Sequence, residues 1–331
     1  MTDTRTRRAD AVAPSPFGVV AARPLDPAKF RDPAVTATGE PRAQVALSAL
    51  DTLWLNTGTL CNLACKTCYI ESSPRNDALI YLTAAEATRF LDEIAASGTD
   101  VREIGFTGGE PFLNPDLPAM LSDALERGHE ALVLTNAMTP MRHRRAELLA
   151  LRARHGRRLT LRVSLDHHTR AGHEGERGPR SWEPALAGLG WLSDEGLSIA
   201  VAGRHLGDEP EARARAGYAA LFAERGIAID AADPARLVLF PEMDATADVP
   251  EITTACWGLL GVQPTSVMCS TSRMVVHRKG EPRARVVACT LLPYAAGFDL
   301  GETLADAARP VALNHPHCAR FCVLGGASCS G

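Results

Sequence analysis

Cys61, Cys65 and Cys68 fall within eight residues, in the spacing C-x3-C-x2-C. Thiolates are soft ligands that favour zinc, copper(I) or iron–sulfur clusters. A loop this short can bring three sulfurs round one centre but supplies no fourth. Structural zinc is closed by four protein ligands, whereas a metal that does chemistry keeps an open position. A cubane held by three cysteines leaves one iron free to bind something else. The other six of the nine cysteines, Cys256, Cys269, Cys289, Cys318, Cys322 and Cys329, lie near the C-terminus, and none lies between Cys68 and Cys256. That placement points to two sites and not to core filling.

Composition narrows the partners. At 331 residues the chain can build one large core, or one core with a satellite domain. Its 46% apolar and 22% charged residues are ordinary for a globular protein. A net charge of -4 offers no basic surface to track a phosphate backbone, which argues against nucleic acid. No run approaches the ~18 apolar residues of a membrane span. Met1 to Asp10 carries Arg5, Arg7 and Arg8 without an apolar core, so it is not a secretory signal. Cysteine clusters in a chain without an export signal point to metal binding or catalysis in a reducing compartment, and the expected location is the cytoplasm.

The elements that must position these cysteines alternate. Residues 1–47 are rich in Pro, Ala and Arg with no sustained period, and read as an extended or partly disordered arm. Thr52–Asn56 reads as a buried strand leading into the cysteine loop. Thr83 and Glu86 form a capping box before a helix that stops at Gly98. Strands follow at about 101–107, 131–135, 159–165, 197–202 and 237–240, separated by helices at about 117–127, 142–154, 181–195 and 209–224. The stretch between 165 and 181 reads as a polar loop. About six βα units imply a parallel sheet covered by helices, with right-handed crossovers. The fold expected over 48–245 is therefore an α/β open (β/α)6 partial barrel, whose active site lies at the C-terminal strand ends. The cysteine loop, Gly108 to Pro111, Asn136 and Asp166 all follow strands and can converge there. Residues 246–331 are expected to form a small cysteine-rich domain of a β-hairpin plus helix.

A cysteine loop after the first strand, with Gly108-Gly109-Glu110-Pro111 after the next, resembles the radical S-adenosylmethionine (SAM) superfamily over about residues 50 to 240. The resemblance implies a [4Fe–4S] cluster on Cys61, Cys65 and Cys68, with SAM chelating the fourth iron. One-electron reduction then yields a 5′-deoxyadenosyl radical that takes hydrogen from substrate, the cofactor carrying the hard chemistry. Glycines at 108 and 109 allow positive φ and close approach of backbone to a ligand, and Glu110 is expected near the SAM amino group. Asn136, Ser164 and Asp166 fall where the family contacts the ribose or methionyl part, with helix caps or surface ion pairs as the alternative. Arg204 is suited to capturing a carboxylate. The family often places an aromatic residue before the third cysteine; here that residue is Thr67, and Tyr69 is the candidate to take its place. His167, His168 and His173 share one loop over the mouth, read as solvated in preference to metal-binding.

Cys269 and Cys289 bracket an expected hairpin turning near Gly280, and a cysteine cluster follows. This is similar to the SPASM and twitch extensions of the superfamily, which bind auxiliary [4Fe–4S] clusters. Two more cubanes would need about eight thiolates, and six are present. One second cluster fits, on Cys269, Cys289, Cys318 and either Cys322 or Cys329, with Cys256 either spare or on a further, incomplete cluster; the alternative is structural zinc on the same thiolates. The resemblance implies a small flavodoxin- or ferredoxin-type reductant, and a peptide or small-molecule substrate with a slight preference for peptide. The competing class is a non-catalytic iron–sulfur redox protein.

Overall fold

The computed structural model describes residues 23–206, 209–241 and 244–326. Six strands form the barrel wall: β1 (Thr52–Asn56), β2 (Glu103–Thr107), β3 (Glu130–Thr135), β4 (Leu159–Ser164), β5 (Ser198–His205) and β6 (Leu237–Pro241). They pair in that order, each parallel to the next. Helices α1 (Ala84–Ser97), α2 (Leu117–Glu126), α3 (Arg145–His155), α4 (Arg170–Arg177), α5 (Trp182–Asp194) and α6 (Glu211–Arg225) occupy the connections. This is the expected α/β open (β/α)6 barrel. All five residues of β1 are buried, as are all five of β2, as a strand covered on both faces requires.

Local chemistry accounts for the helix ends. Thr83 accepts the Glu86 N–H while the Glu86 side chain returns to the Thr83 N–H, so the capping box of α1 is formed, and Gly98 closes the helix in the left-handed region. Ala87, Phe90, Leu91 and Ile94 are its buried stripe. The stretch read as a polar loop after β4 holds α4, capped by Thr169 accepting the Gly172 N–H. Only His173 of α4 is fully buried, so the helix has almost no apolar stripe to announce it.

Beyond β6 the chain returns to the sheet. β7 (Ser272–Val276) lies parallel to β1 on its free side, and β8 (Arg285–Val287) and β9 (Asp299–Gly301) extend the sheet antiparallel. The hairpin turns at Gly280, with φ +86°. The nine strands form one sheet, so Cys269 and Cys289 are carried into the same body as the barrel. A π-helix spans Cys318–Leu324. From residue 23 the Pro-rich arm is extended and held: Leu25 N–H donates to Thr246, Ala43 N–H donates to Ile252, and Gln44–Val45 pairs with Val311–Ala312. Buried Arg42 closes the contact on Glu251.

Candidate functional site

The cysteine loop leaves β1 and is tied down from both sides. Cys61 N–H donates to Ser73 O (3.1 Å), and Lys66 N–H donates to Glu176 O on α4 (2.8 Å). Thr67 Oγ1 donates to the Glu176 carboxylate (2.6 Å), and Arg204 donates to the Thr67 carbonyl (3.2 Å). Thr67, at the position where an aromatic residue is common, therefore anchors the loop. Sulfur acceptors order its interior: Leu63 N–H donates to Cys61 Sγ and Ser72 N–H to Cys68 Sγ. Burial pushes the Cys61 thiol up to about 12, with the neighbouring Glu110, Cys65 and Cys68 adding to the rise. Burial likewise raises Cys65, which Arg177 partly offsets. Buried thiols such as Cys61 and Cys65 are matched to a strongly cationic centre, since metal binding must expel their protons.

All three cysteines line one cleft of about 670 Å³, which includes space open to solvent. Tyr69, Gly108, Gly109, Asn136, Ser164 and Arg204 line the same cleft, so most of the residues expected at strand ends do converge. A second cavity adjoins it through Tyr69, Leu134, Ser164, Arg177 and Arg204, and is walled by Asp166, Phe240, Leu291 and Phe321.

Glu110 and the glycines are also tied to neighbouring segments. Glu110 is 2% exposed and accepts from three donors: Thr135 Oγ1 (2.8 Å), Asn136 N–H (2.8 Å) and Phe112 N–H (3.3 Å). It caps the single turn Pro111–Leu113 and fastens the end of β2 to the end of β3. Burial pushes its carboxyl up to about 7 in spite of those donors. A Cβ on Gly109 would lie 2.1 Å from Leu60 O, and one on Gly108 (φ +144°) 2.5 Å from Gly58 O. The close approach that requires glycine is thus to the backbone after β1; the cysteine loop rests directly on this turn.

Asn136 bridges the same parts, its Nδ2 donating to Asn62 Oδ1 in the cysteine loop (2.9 Å). Asp166, 4% exposed, pairs with Arg177 Nε (2.7 Å) and Arg204 Nε (3.4 Å). Burial raises the Asp166 carboxyl, but the two arginines outweigh it and hold the group below the usual range. Arg177 was not singled out from sequence, because nothing in a polar helix marks its last residue as buried against an aspartate eleven residues earlier.

His173 is buried on α4, edge-on to Trp182, and burial lowers it to about 4. His167 faces Glu209 (3.2 Å), with His168 stacked on it at 4.1 Å and 28°. One ligand atom from each of His167, His168 and Glu209 lies within 4.8 Å of the others, so the three could meet a metal ion as well as pair with one another.

The second thiol group is assembled from separate segments. Cys269 precedes β7, Cys289 follows β8, and Cys318 and Cys322 lie on the π-helix. Burial holds the Cys318 thiol well above its usual range, and Cys289, Cys322 and Cys269 all add to the rise, so these four share one environment. Cys256 sits on a short helix with its sulfur accepting the Thr253 N–H. Cys329 lies outside the described residues.

Residues 55–213 match the family model for the radical SAM superfamily. That stretch belongs to the superfamily. As a radical SAM protein its cofactors are SAM and a [4Fe–4S] cluster. Over 143 residues it is 32% identical to the antilisterial bacteriocin subtilosin biosynthesis protein AlbA of Bacillus subtilis, covering 43% of this chain and 30% of AlbA. It is 28% identical over 144 residues to the AdoMet-dependent heme synthase of Nitratidesulfovibrio vulgaris, covering 43% of this chain and 36% of that protein. The chain thus spans about a third of the length of these two relatives. In fold the radical SAM chain resembles Streptococcus suis SuiB bound to S-adenosylmethionine, with TM-score 0.56 and 14% identity over 77% of this chain and 63% of that one. It also resembles anSMEcpe with bound AdoMet, with TM-score 0.55 and 12% identity over 77% of this chain and 79% of that one. Among the described residues no helix is long and apolar enough to cross a membrane.

Proposed function

We propose that the cleft is the site of reductive SAM cleavage, with Cys61, Cys65 and Cys68 holding the [4Fe–4S] cluster. The observation that carries this is the convergence of three thiols from one loop with strand-end polar groups in a single cleft. When bound there, the cluster supplies the electron that cleaves SAM to a 5′-deoxyadenosyl radical. The backbone of Gly108 and Gly109 presents polar groups to the methionyl end, and Glu110, which fastens their turn, is the acceptor proposed for the SAM amino group. Asn136 and Ser164 serve the ribose or methionyl oxygens, and Arg204 is the cation for a carboxylate. Tyr69 and Leu134 stand between the two cavities. Phe240, Leu291 and Phe321 make the adjoining cavity largely apolar, which excludes water from a radical formed at its edge.

That adjoining cavity is the place for substrate. The AlbA likeness supports a peptide, the heme synthase likeness a small molecule; we take the peptide first. A flavodoxin- or ferredoxin-type protein is the expected electron donor. Anaerobic reconstitution with SAM and dithionite should yield 5′-deoxyadenosine. An intact, reducible cluster that forms none would overturn the enzyme reading in favour of a redox protein.

Cys269, Cys289, Cys318 and Cys322 are proposed to hold a second [4Fe–4S] cluster, leaving Cys256 outside. Four thiolates round one zinc at ~2.3 Å would stand ~3.8 Å apart. Among the described residues no three of these sulfurs lie within 4.8 Å of one another, a spacing that favours a multinuclear centre over zinc. A protein lacking Cys61, Cys65 and Cys68 should retain about four irons and four sulfides per chain; zinc without sulfide would sink the proposal.

A further inference from the structure

Arg273 is the first interior residue of β7 and is wholly buried. A guanidinium stays charged in a protein interior, so burial of this side chain calls for a counter-charge. Two other arginines show such pairing: buried Arg42 pairs with Glu251, and the half-buried Arg177 with Asp166. Among the described residues Arg273 makes no ion pair with a carboxylate. Its donors go to four backbone carbonyls: Nε to Ala307 (2.9 Å), Nη1 to Cys269 (2.5 Å) and Ser272 (2.8 Å), and Nη2 to Arg309 (3.2 Å). The charges it feels are the thiols of Cys269 and Cys289. Those sulfurs belong to the buried group that also contains Cys318 and Cys322. The fold has therefore placed a cation with no carboxylate partner among the described residues beside Cys269 and Cys289, in a group where burial keeps the Cys269 and Cys318 thiols protonated.

We propose that Arg273 is the built-in counter-cation of the second cluster and sets its reduction potential. The inference rests on the reading of Cys269, Cys289, Cys318 and Cys322 as cluster ligands. A [4Fe–4S] centre with four thiolates is dianionic when oxidised and trianionic after it accepts one electron, so a fixed neighbouring cation stabilises the reduced form more. The electron comes from the reductant or from a substrate radical; no proton need move, because the guanidinium keeps its charge throughout. The four carbonyls hold the cation in place, and the Cys269 carbonyl ties it to a ligand-bearing residue directly. Charge set this way tunes an iron–sulfur potential through net charge and burial.

The test uses the full chain with Cys61, Cys65 and Cys68 replaced by serine, so that any cluster present is the second one. Loss of iron and sulfide in this background would defeat the ligand reading whatever Arg273 does. With the cluster present, Arg273→Gln should shift the reduction equilibrium at least tenfold against the reduced form, which is 59 mV more negative for one electron. Arg273→Lys, which keeps the charge, should stay close to the parent. Equal potentials in the parent and the Gln variant would overturn the proposal and leave Arg273 as a brace for the 307–309 segment. Should the Gln variant not retain its cluster, the parent labelled with ¹⁵N-arginine decides: the reduced cluster's electron spin should show a ¹⁵N coupling, and none would equally overturn it.

Discussion

In the N-terminal thiol group one loop supplies all three sulfurs, two of them half-exposed, beside a cleft edged by Arg177 and Arg204. In the C-terminal group four sulfurs come from a turn before β7, the end of β8 and a π-helix, and three of the four are buried. The first is held at its edges by polar side chains that could also meet a ligand; the second is packed into the core, with a cation that meets only carbonyls and thiols. On the proposed ligation, the contrast is between a shell left open for an exchanging ligand and one closed by protein. It also separates what neighbouring residues can build from what needs the whole fold.

The largest effect expected from this contrast is on activity. Replacing Cys61, Cys65 and Cys68 should abolish 5′-deoxyadenosine formation, while replacing Cys318 should remove the second cluster and leave SAM cleavage detectable. Equal loss in both variants would dissolve the distinction. Next is the ion pair beside the open group. Arg177→Met leaves Asp166 buried with only the longer Arg204 contact, and should cost about 3 kcal/mol in urea unfolding at neutral pH. The Asp166 contribution is present above the ordinary aspartate range and is lost as pH falls below that range through the lowered native value, so the cost should shrink in acid.

Glu110 runs the other way. Its folded pKa is raised to about 7, so its contribution is fully present below its ordinary value and is lost as pH rises through about 7. Between those limits the difference in stability between this protein and Glu110→Gln should change by about 3 kcal/mol. A flat difference across that window would show that the carboxyl is ionised throughout. The smallest effect belongs to the loop anchor: Thr67→Val removes the bond to Glu176 and should cost about 1 kcal/mol. It should also speed hydrogen exchange at Lys66 without altering the C-terminal group.

Much of the barrel was legible because buried parallel strands and capped helices leave local marks, such as the Thr83–Glu86 box and the runs at β1 and β3. Helix α4 was not, since its one buried residue is a histidine and its value lies in what Glu176 and Arg177 reach. Glu110 was legible as a motif residue but not as a brace, because its three donors come from the end of β3 and the turn it caps. The glycine pair was read toward a ligand, whereas the atoms a Cβ would strike belong to the backbone around Leu60.

By itself the sequence determined three thiols at a spacing that closes only three-quarters of a coordination shell, and the alternation that places them at a strand end. Both follow from short-range geometry, the reach of a few residues and the period of a helix or strand. Tertiary structure alone decided that Cys269, Cys289, Cys318 and Cys322 share one environment, that β7 joins β1 in the sheet, and that Arg177 and Arg273 meet such different partners. Those outcomes depend on contacts between segments tens to hundreds of residues apart. Only packing brings such segments together, and burial then sets what each charge must find.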